Sequence, residues 1–230
     1  SQLKLLEGML QNDPGNPRLK RLLAEGFAAY SFLFLEDAEP ARAKGTYLRA
    51  RGYGLETLPP GLAALPSMPL DAAASALENA GPDDVPGLFW AGYGWGGWIN
   101  QSKDSPEAVA DLPKVVAIME RVAALSPGYY FSGAELFLAT YDAARPRMLG
   151  GNPEKAKARF DTAMQANEDR FLIAKVLCAQ YYAVAIQDAE LFKRLLNEVL
   201  ESTAELPKAR LANAVAKQKA RRLLEKIDEF

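Results

Sequence analysis

Residues 151–163 read GNPEKAKARFDTA. A glycine marks a turn, Ala156 follows early in a helix, an aromatic residue comes four positions on at Phe160, and Ala163 lies three beyond it. On a helix these three positions share one face. The two alanines let a neighbouring helix approach closely, and Phe160 fills the groove between the pair. The same spacing recurs as Ala43, Tyr47 and Ala50, after a helix that carries Phe27 and Tyr30. A weaker copy is Val115, Met119 and Val122, followed by Leu125-Ser126-Pro127. A further hairpin over residues 170–203 keeps a turn at Asp188 and the apolar spacing but has lost the alanines.

Apolar residues repeat at helical spacing through most of the chain, and β-branched runs bounded by turns are almost missing. The first helix is expected from Pro17 to Glu36, with Asn16 as its N-cap and Pro17 in its first turn. A second runs from Pro40 to Thr57 and stops at Pro59-Pro60-Gly61. Residues 59–70 hold four prolines and read as a loop. A short helix follows from Asp71 to Asn79, then helices near 84–101, 106–125, 129–144, 153–166, 170–186, 188–203 and 207–228. The recurring hairpin resembles a tetratricopeptide repeat, in which each unit buries its apolar face only against its neighbours. The expected fold is an all-α, tetratricopeptide-like superhelix of helical hairpins, closed by a C-terminal capping helix. Residues 1–230 form one such domain in this reading. Insertions before Pro106 and around Arg145 to Gly150 break the repeat.

Composition narrows the function. The 230 residues include no histidine and one cysteine, Cys178. Ser-His-Asp and Cys-His catalysis, most zinc sites and an intrachain disulfide are thereby removed. Lys plus Arg is 27 and Asp plus Glu is 29, a net charge of −2. A dedicated nucleic-acid binder needs a surplus of cations. The longest apolar-looking run, residues 88–99, is too short for a membrane span, which takes roughly 20 residues. Neither a charged n-region nor an apolar h-region opens the chain, which starts at Ser1 as expected of a processed or recombinant protein.

Gly92-Tyr93-Gly94-Trp95-Gly96-Gly97 matches the dinucleotide pattern G-x-G-x-x-G, but no strand precedes it and no βαβ unit surrounds it. It reads instead as a helix with small residues on one face and Trp90, Tyr93, Trp95 and Trp98 on others. Glycines inside a helix cost about 1 kcal/mol each relative to alanine. Their clustering points to close helix contact or to room for a ligand, with packing the stronger reading. Arg145-Pro146-Arg147-Met148-Leu149-Gly150-Gly151 interrupts a repeat, and its arginines suit either a carboxylate or the end of the preceding helix. Cys178 lies mid-helix and reads as core. Lys208 to Arg222 carries six basic residues and no acidic one, whereas Tyr53 to Ser102 carries five acids and no base.

Several segments together resemble one family, the T-component proteins of TRAP (tripartite ATP-independent periplasmic) transporters. They are Asn12-Asp13-Pro14 with Asn16-Pro17, the run from Ala43 to Arg51, Trp95-Gly96-Gly97-Trp98-Ile99-Asn100, Ala110 to Val115, Arg145 to Gly151, the tail from Leu211 to Leu224, and the ending Asp228-Glu229-Phe230. The resemblance implies a periplasmic lipoprotein, a trimer with a central pore, and association with the substrate-binding P protein. It also implies a lipid anchor on an N-terminal cysteine that is absent from this sequence. The expected function is a non-catalytic accessory of solute import that needs no cofactor and no metal and holds a small organic or amphipathic ligand in a cleft. The alternative is a general tetratricopeptide scaffold that docks a partner peptide; catalysis by carboxylates alone is the weakest reading. Two departures from the repeat place the ligand- or partner-binding site at Trp95, Trp98, Asn100, Tyr141, Arg145, Arg147 and Met148.

Overall fold

The computed structural model describes residues 2–226, and among them there is no strand. The protein is all-α, as its periodicity predicts. The chain gathers into two compact units, Ser1–Ser126 and Pro127–Phe230.

The first unit contains α1 (Gln2–Asn12), α2 (Pro17–Tyr30), α3 (Pro40–Leu55), α4 (Pro60–Ala63), α5 (Leu70–Glu78), α6 (Val85–Asn100), α7 (Pro106–Ala110) and α8 (Leu112–Leu125). The second contains α9 (Tyr129–Ala144), α10 (Pro153–Ala166), α11 (Leu172–Leu177), α12 (Ala189–Glu201) and α13 (Arg210–Glu225). The starts are chemically plain. Asn16 Oδ1 accepts from the backbone N–H groups of Arg18 and Leu19 at 3.0 and 3.1 Å, ahead of Pro17. Asn152 and Asp188 cap α10 and α12 in the same way, from Lys155 and Leu191 at 2.9 and 2.8 Å. Each supplies an acceptor to an N–H that the helix leaves unpaired.

The sequence reading needs three adjustments. Residues 2–12 form a helix that it left unassigned; α1 turns Leu3, Leu6 and Leu10 inward and exposes Leu5 and Met9. The proline-rich loop contains one α-helical turn, α4, and a 3-10 turn over Leu65–Ser67. The helix expected over 106–125 breaks at Asp111, just before Pro113, which offers no backbone N–H to continue the ladder. The last helix is described to Glu225, and the expected end at 228 lies outside the described residues, as does Asp228-Glu229-Phe230.

Two helices run into π turns that no periodicity argument shows. The turn Ser31–Leu35 extends α2, with Glu36 donating to the Ser31 carbonyl at 2.9 Å, and Cys178–Ala183 extends α11. At the start of α9, Tyr130, Phe131 and Ser132 take left-handed φ values of 44°, 59° and 59°. Left-handed L-residues cost roughly 1–2 kcal/mol each. Asn167 Nδ2 donates to the Phe131 carbonyl at 3.0 Å and the Phe131 ring stacks on Phe171 at 4.6 Å, which offsets part of that cost.

The repeated triplets form the core. Ala43, Tyr47 and Ala50, Val115, Met119 and Val122, and Ala156, Phe160 and Ala163 are all buried. In the first unit α2 packs on α3, α3 on α6, and α6 on α8; in the second α9 packs on α10, and α13 on both α11 and α12. Asn213 fixes α13 by accepting from Leu172 N–H at 3.0 Å and donating to the Arg170 carbonyl at 2.8 Å.

The most extensive helix contact joins α3 to α6, and it depends on missing side chains. A Cβ at Gly94 would lie 2.6 Å from the Arg51 nitrogen and 2.7 Å from the Tyr47 carbonyl oxygen. At Gly54 a Cβ would lie 2.6 Å from the Ala91 nitrogen. Both obstacles are backbone, which cannot step aside. Gly94→Ala is therefore expected to lower stability by on the order of 1–3 kcal/mol in spite of alanine's better helix propensity. Gly45→Ala and Gly52→Ala, on the same α3 but with nothing within 4 Å, should instead raise it by about 0.4–1 kcal/mol. Urea midpoints for the three variants test the pairing, and a stable Gly94→Ala protein would show that α6 does not seat on α3.

Candidate functional site

Seating α6 on α3 determines what its aromatic residues meet. Trp95 is fully buried, Trp98 half-buried and Asn100 exposed at the end of α6. The Arg51 guanidinium, from α3, lies 5.1 Å from the centre of the Trp95 ring and 5.8 Å from that of Trp98. Lys114 Nζ, from α8, reaches within 5.8 Å of the Trp95 ring. Lys114 is itself held by Asp111 at 3.1 Å and by the Pro66 carbonyl at 3.2 Å. Burial lowers the pKa of Arg51, and the nearby Asp111 works in the opposite direction. Among the described residues the buried Trp95 Nε1–H has no acceptor. On its other side Trp98 packs with Tyr30 and Tyr93 against Leu35, Ala43 and Tyr47, and the Tyr47 hydroxyl donates to Glu36 at 2.8 Å. Arg51 was not among the candidate site residues taken from sequence. Only the approach of α3 to α6 brings it to the two tryptophans.

The remaining sequence-predicted residues belong to the second unit. Tyr141 and Arg145 are brought together: the guanidinium covers the ring at 4.8 Å and donates to its hydroxyl. Arg147 pairs with Glu154, which raises the arginine's pKa and lowers the glutamate's through the hydrogen bond they share. The segment between α9 and α10 is a tight 3-10 turn over Arg147–Leu149. Gly150 takes a φ of +87°, and a Cβ at Gly151 would overlap the Arg145 carbonyl. This geometry thrusts Met148 outward at 89% exposure, beside Leu149 at 59%. Beneath the turn, Arg159 of α10 joins Glu135 and Asp142 of α9, so the helices that carry it are pinned by charge.

A further hollow of about 370 Å³ lies where α1 meets α3, lined by Lys4, Glu7, Leu10, Arg49 and Tyr53 among others. Its charges are already matched. Glu7 accepts from the Tyr53 hydroxyl at 3.1 Å and pairs with Lys4 and Arg49, and Arg49 stacks on Phe27 at 4.1 Å. The sequence reading missed this hollow because it left α1 unassigned.

A family model described as TAtT, TRAP transporter T-component, matches residues 1–230, and the chain belongs to that family. No curated protein matches the chain. Among the described residues no helix is long and apolar enough to cross a membrane.

Cys178 is buried in the second π turn, and burial pushes its thiol up to about 12 from 9.0. A thiol held protonated is a poor nucleophile. Thiol reagents at mildly alkaline pH are expected to leave Cys178 untouched in the native protein and to label it on unfolding. The raised value means that the folded protein holds this proton more tightly than the unfolded chain. Its contribution to stability is thus complete below the unfolded value of 9.0 and disappears as pH rises toward about 12. Stability should fall less steeply with alkaline pH in Cys178→Ala than in the parent; identical slopes would mean that the thiol is not desolvated.

Proposed function

We propose that the protein is a non-catalytic accessory of a TRAP solute import system. It associates with the system's substrate-binding P protein and holds a small organic ligand. Membership of the T-component family across residues 1–230 is the observation that carries this reading. In it the protein works in the periplasm, tethered through a lipid anchor, and assembles as a homotrimer. The tetratricopeptide-like superhelix over 1–230 belongs to the same proposal, supported by the buried triplets of both units.

The seven residues taken from sequence divide by role. Trp95 and Trp98, with Asn100 at the edge, serve the ligand, because indole rings beside a few polar groups suit a small-molecule site. Tyr141, Arg145, Arg147 and Met148 serve the P protein. Methionine and arginine are enriched in protein interfaces, and Met148 projects from its turn with two arginines beside it.

Arg147→Ala combined with Met148→Ser is expected to weaken P-protein binding at least about tenfold, since arginine is among the residues that dominate interface energies and methionine is enriched at interfaces. The melting temperature should not change, because Arg147, Glu154 and Met148 are all exposed. Calorimetric titration of the P protein into parent and variant measures the loss. Equal affinities would remove the turn from the interface, and a parent protein that does not bind the P protein would overturn the partner reading. Sedimentation showing a monomer at micromolar concentration would exclude the trimer.

A further inference from the structure

In the second unit every lysine and arginine from Arg147 to Arg194 has a carboxylate at 3.9 Å or closer. Beyond Pro207 that pairing stops. Residues 207–224 hold six cations and no acid. Among the described residues no carboxylate pairs with Lys208, Arg210, Lys217 or Arg221. Lys217 Nζ donates to the Leu200 and Ser202 carbonyls at 3.3 and 2.7 Å, which leaves its charge uncancelled. The helix that carries these residues is firmly seated. Val215, Ala216 and Ala220 are buried where α13 packs on α11 and α12, and Asn213 ties it to Leu172 and Arg170. Arg210, Ala214, Lys217 and Arg221 follow at intervals of four, three and four residues, so they form one line along the helix. From Arg210 to Arg221 that line runs about 16 Å. Leu211 stands beside it at 58% exposure, with Ala214 and Gln218 exposed between the arginines. The one described acid on this face is Glu225, a turn beyond Arg221.

We propose that this face of α13 docks on the surface of an anionic phospholipid bilayer. Guanidinium forks match phosphate oxygens, and a straight row of them meets many headgroups at once. A basic amphipathic helix with an exposed leucine suits the boundary between headgroups and acyl chains, where Leu211 would sit. The alternatives fit less well. A protein interface concentrates its energy in large buried anchors, and the residues between these cations are small or polar. A nucleic acid is repelled by a chain whose net charge is −2, whereas a flat bilayer meets this face alone. The inference goes beyond the functional proposal and rests on neither the P protein nor the ligand. The lipid anchor of that proposal would add only effective concentration, by holding α13 within reach of the bilayer.

The test is sedimentation of the full chain with vesicles of phosphatidylcholine, alone or with an equal share of phosphatidylglycerol. At low salt the anionic vesicles are expected to bind the protein at least about tenfold more tightly than the neutral ones, and the difference should vanish in about 0.5 M salt. Lys208→Gln, Arg210→Gln and Arg221→Gln combined should lower binding to anionic vesicles at least about tenfold, since each cation near such a surface is worth about fivefold. A control with the same loss of charge on the first unit, Arg18→Gln, Arg21→Gln and Lys103→Gln, should bind like the parent. All six side chains are exposed, so both variants should melt with the parent. Should the α13 variant fail to fold, Arg210→Glu and Arg221→Glu made singly replace it, beside the comparison of anionic with neutral vesicles on the parent. Equal binding to both vesicles, or no binding to either at millimolar lipid, would overturn the inference. So would a control variant that loses as much as the α13 variant. Poly-glutamate or duplex DNA that binds the parent more tightly than the anionic vesicles would assign the face to an acidic chain or a nucleic acid instead, and the lipid reading would fall. P-protein and ligand binding, measured separately, decide the functional proposal whichever way the vesicles behave.

Discussion

A side chain that is not there organises the first unit. Where α6 crosses α3, Gly94 and Gly54 let the two backbones meet at distances that no Cβ allows. Glycine costs about 1 kcal/mol in each helix that carries it. The return is the burial of Trp95, Phe89 and Tyr47 in a tightly packed interior. Several neighbouring features of that unit follow from this contact. Tyr47 fills the space left open at Gly97, Ile118 and Met119 of α8 abut Gly92, and the indoles of Trp95 and Trp98 come to rest beside Arg51.

The second unit uses a different solution for the same kind of contact. Between α9 and α10 the small residues are alanines, and a charged group is added, with Arg159 between Glu135 and Asp142. Alanine and Phe160 bring the helices together, while the ion pairs and the buried Asp142 define how they register, since a charge out of place in that setting would be costly. The seven-residue interruption follows directly, tied down by the Asn152 N–H, which donates to the Asp142 carbonyl at 2.9 Å. The result is a firmly held base with a projecting tip, Met148.

Membership of the TRAP transporter T-component family and the chemistry of these two regions agree with one another. The chain has no histidine, and its one thiol is buried and held protonated. What it presents is aromatic side chains, a half-buried arginine, and a methionine-tipped turn.

The spacing of small and aromatic residues was sufficient to show an all-α protein. Ala156, Phe160 and Ala163, and their counterparts at 43, 47 and 50, declare both the helix period and the buried face, because close helix packing requires small residues at those positions. The cap at Asn16, the turn at Asp188 and the break at Pro59 were legible for the same local reason. Trp95 and Trp98 stood out because glycines around them are costly in a helix, and the turn at 145–151 because it interrupts a repeat. The helix α1 was not legible: its inward face is three leucines that need α2 and α3 to complete it. The π turns were hidden too, since they change the hydrogen bonding of a helix without changing its residue types. Arg51 was hidden most completely. In sequence it is an ordinary arginine in a mixed helix, and only the tertiary contact sets two indoles against it and deprives it of a carboxylate. Periodicity is a property of neighbours along the chain, whereas an unpaired charge is a property of everything that surrounds it.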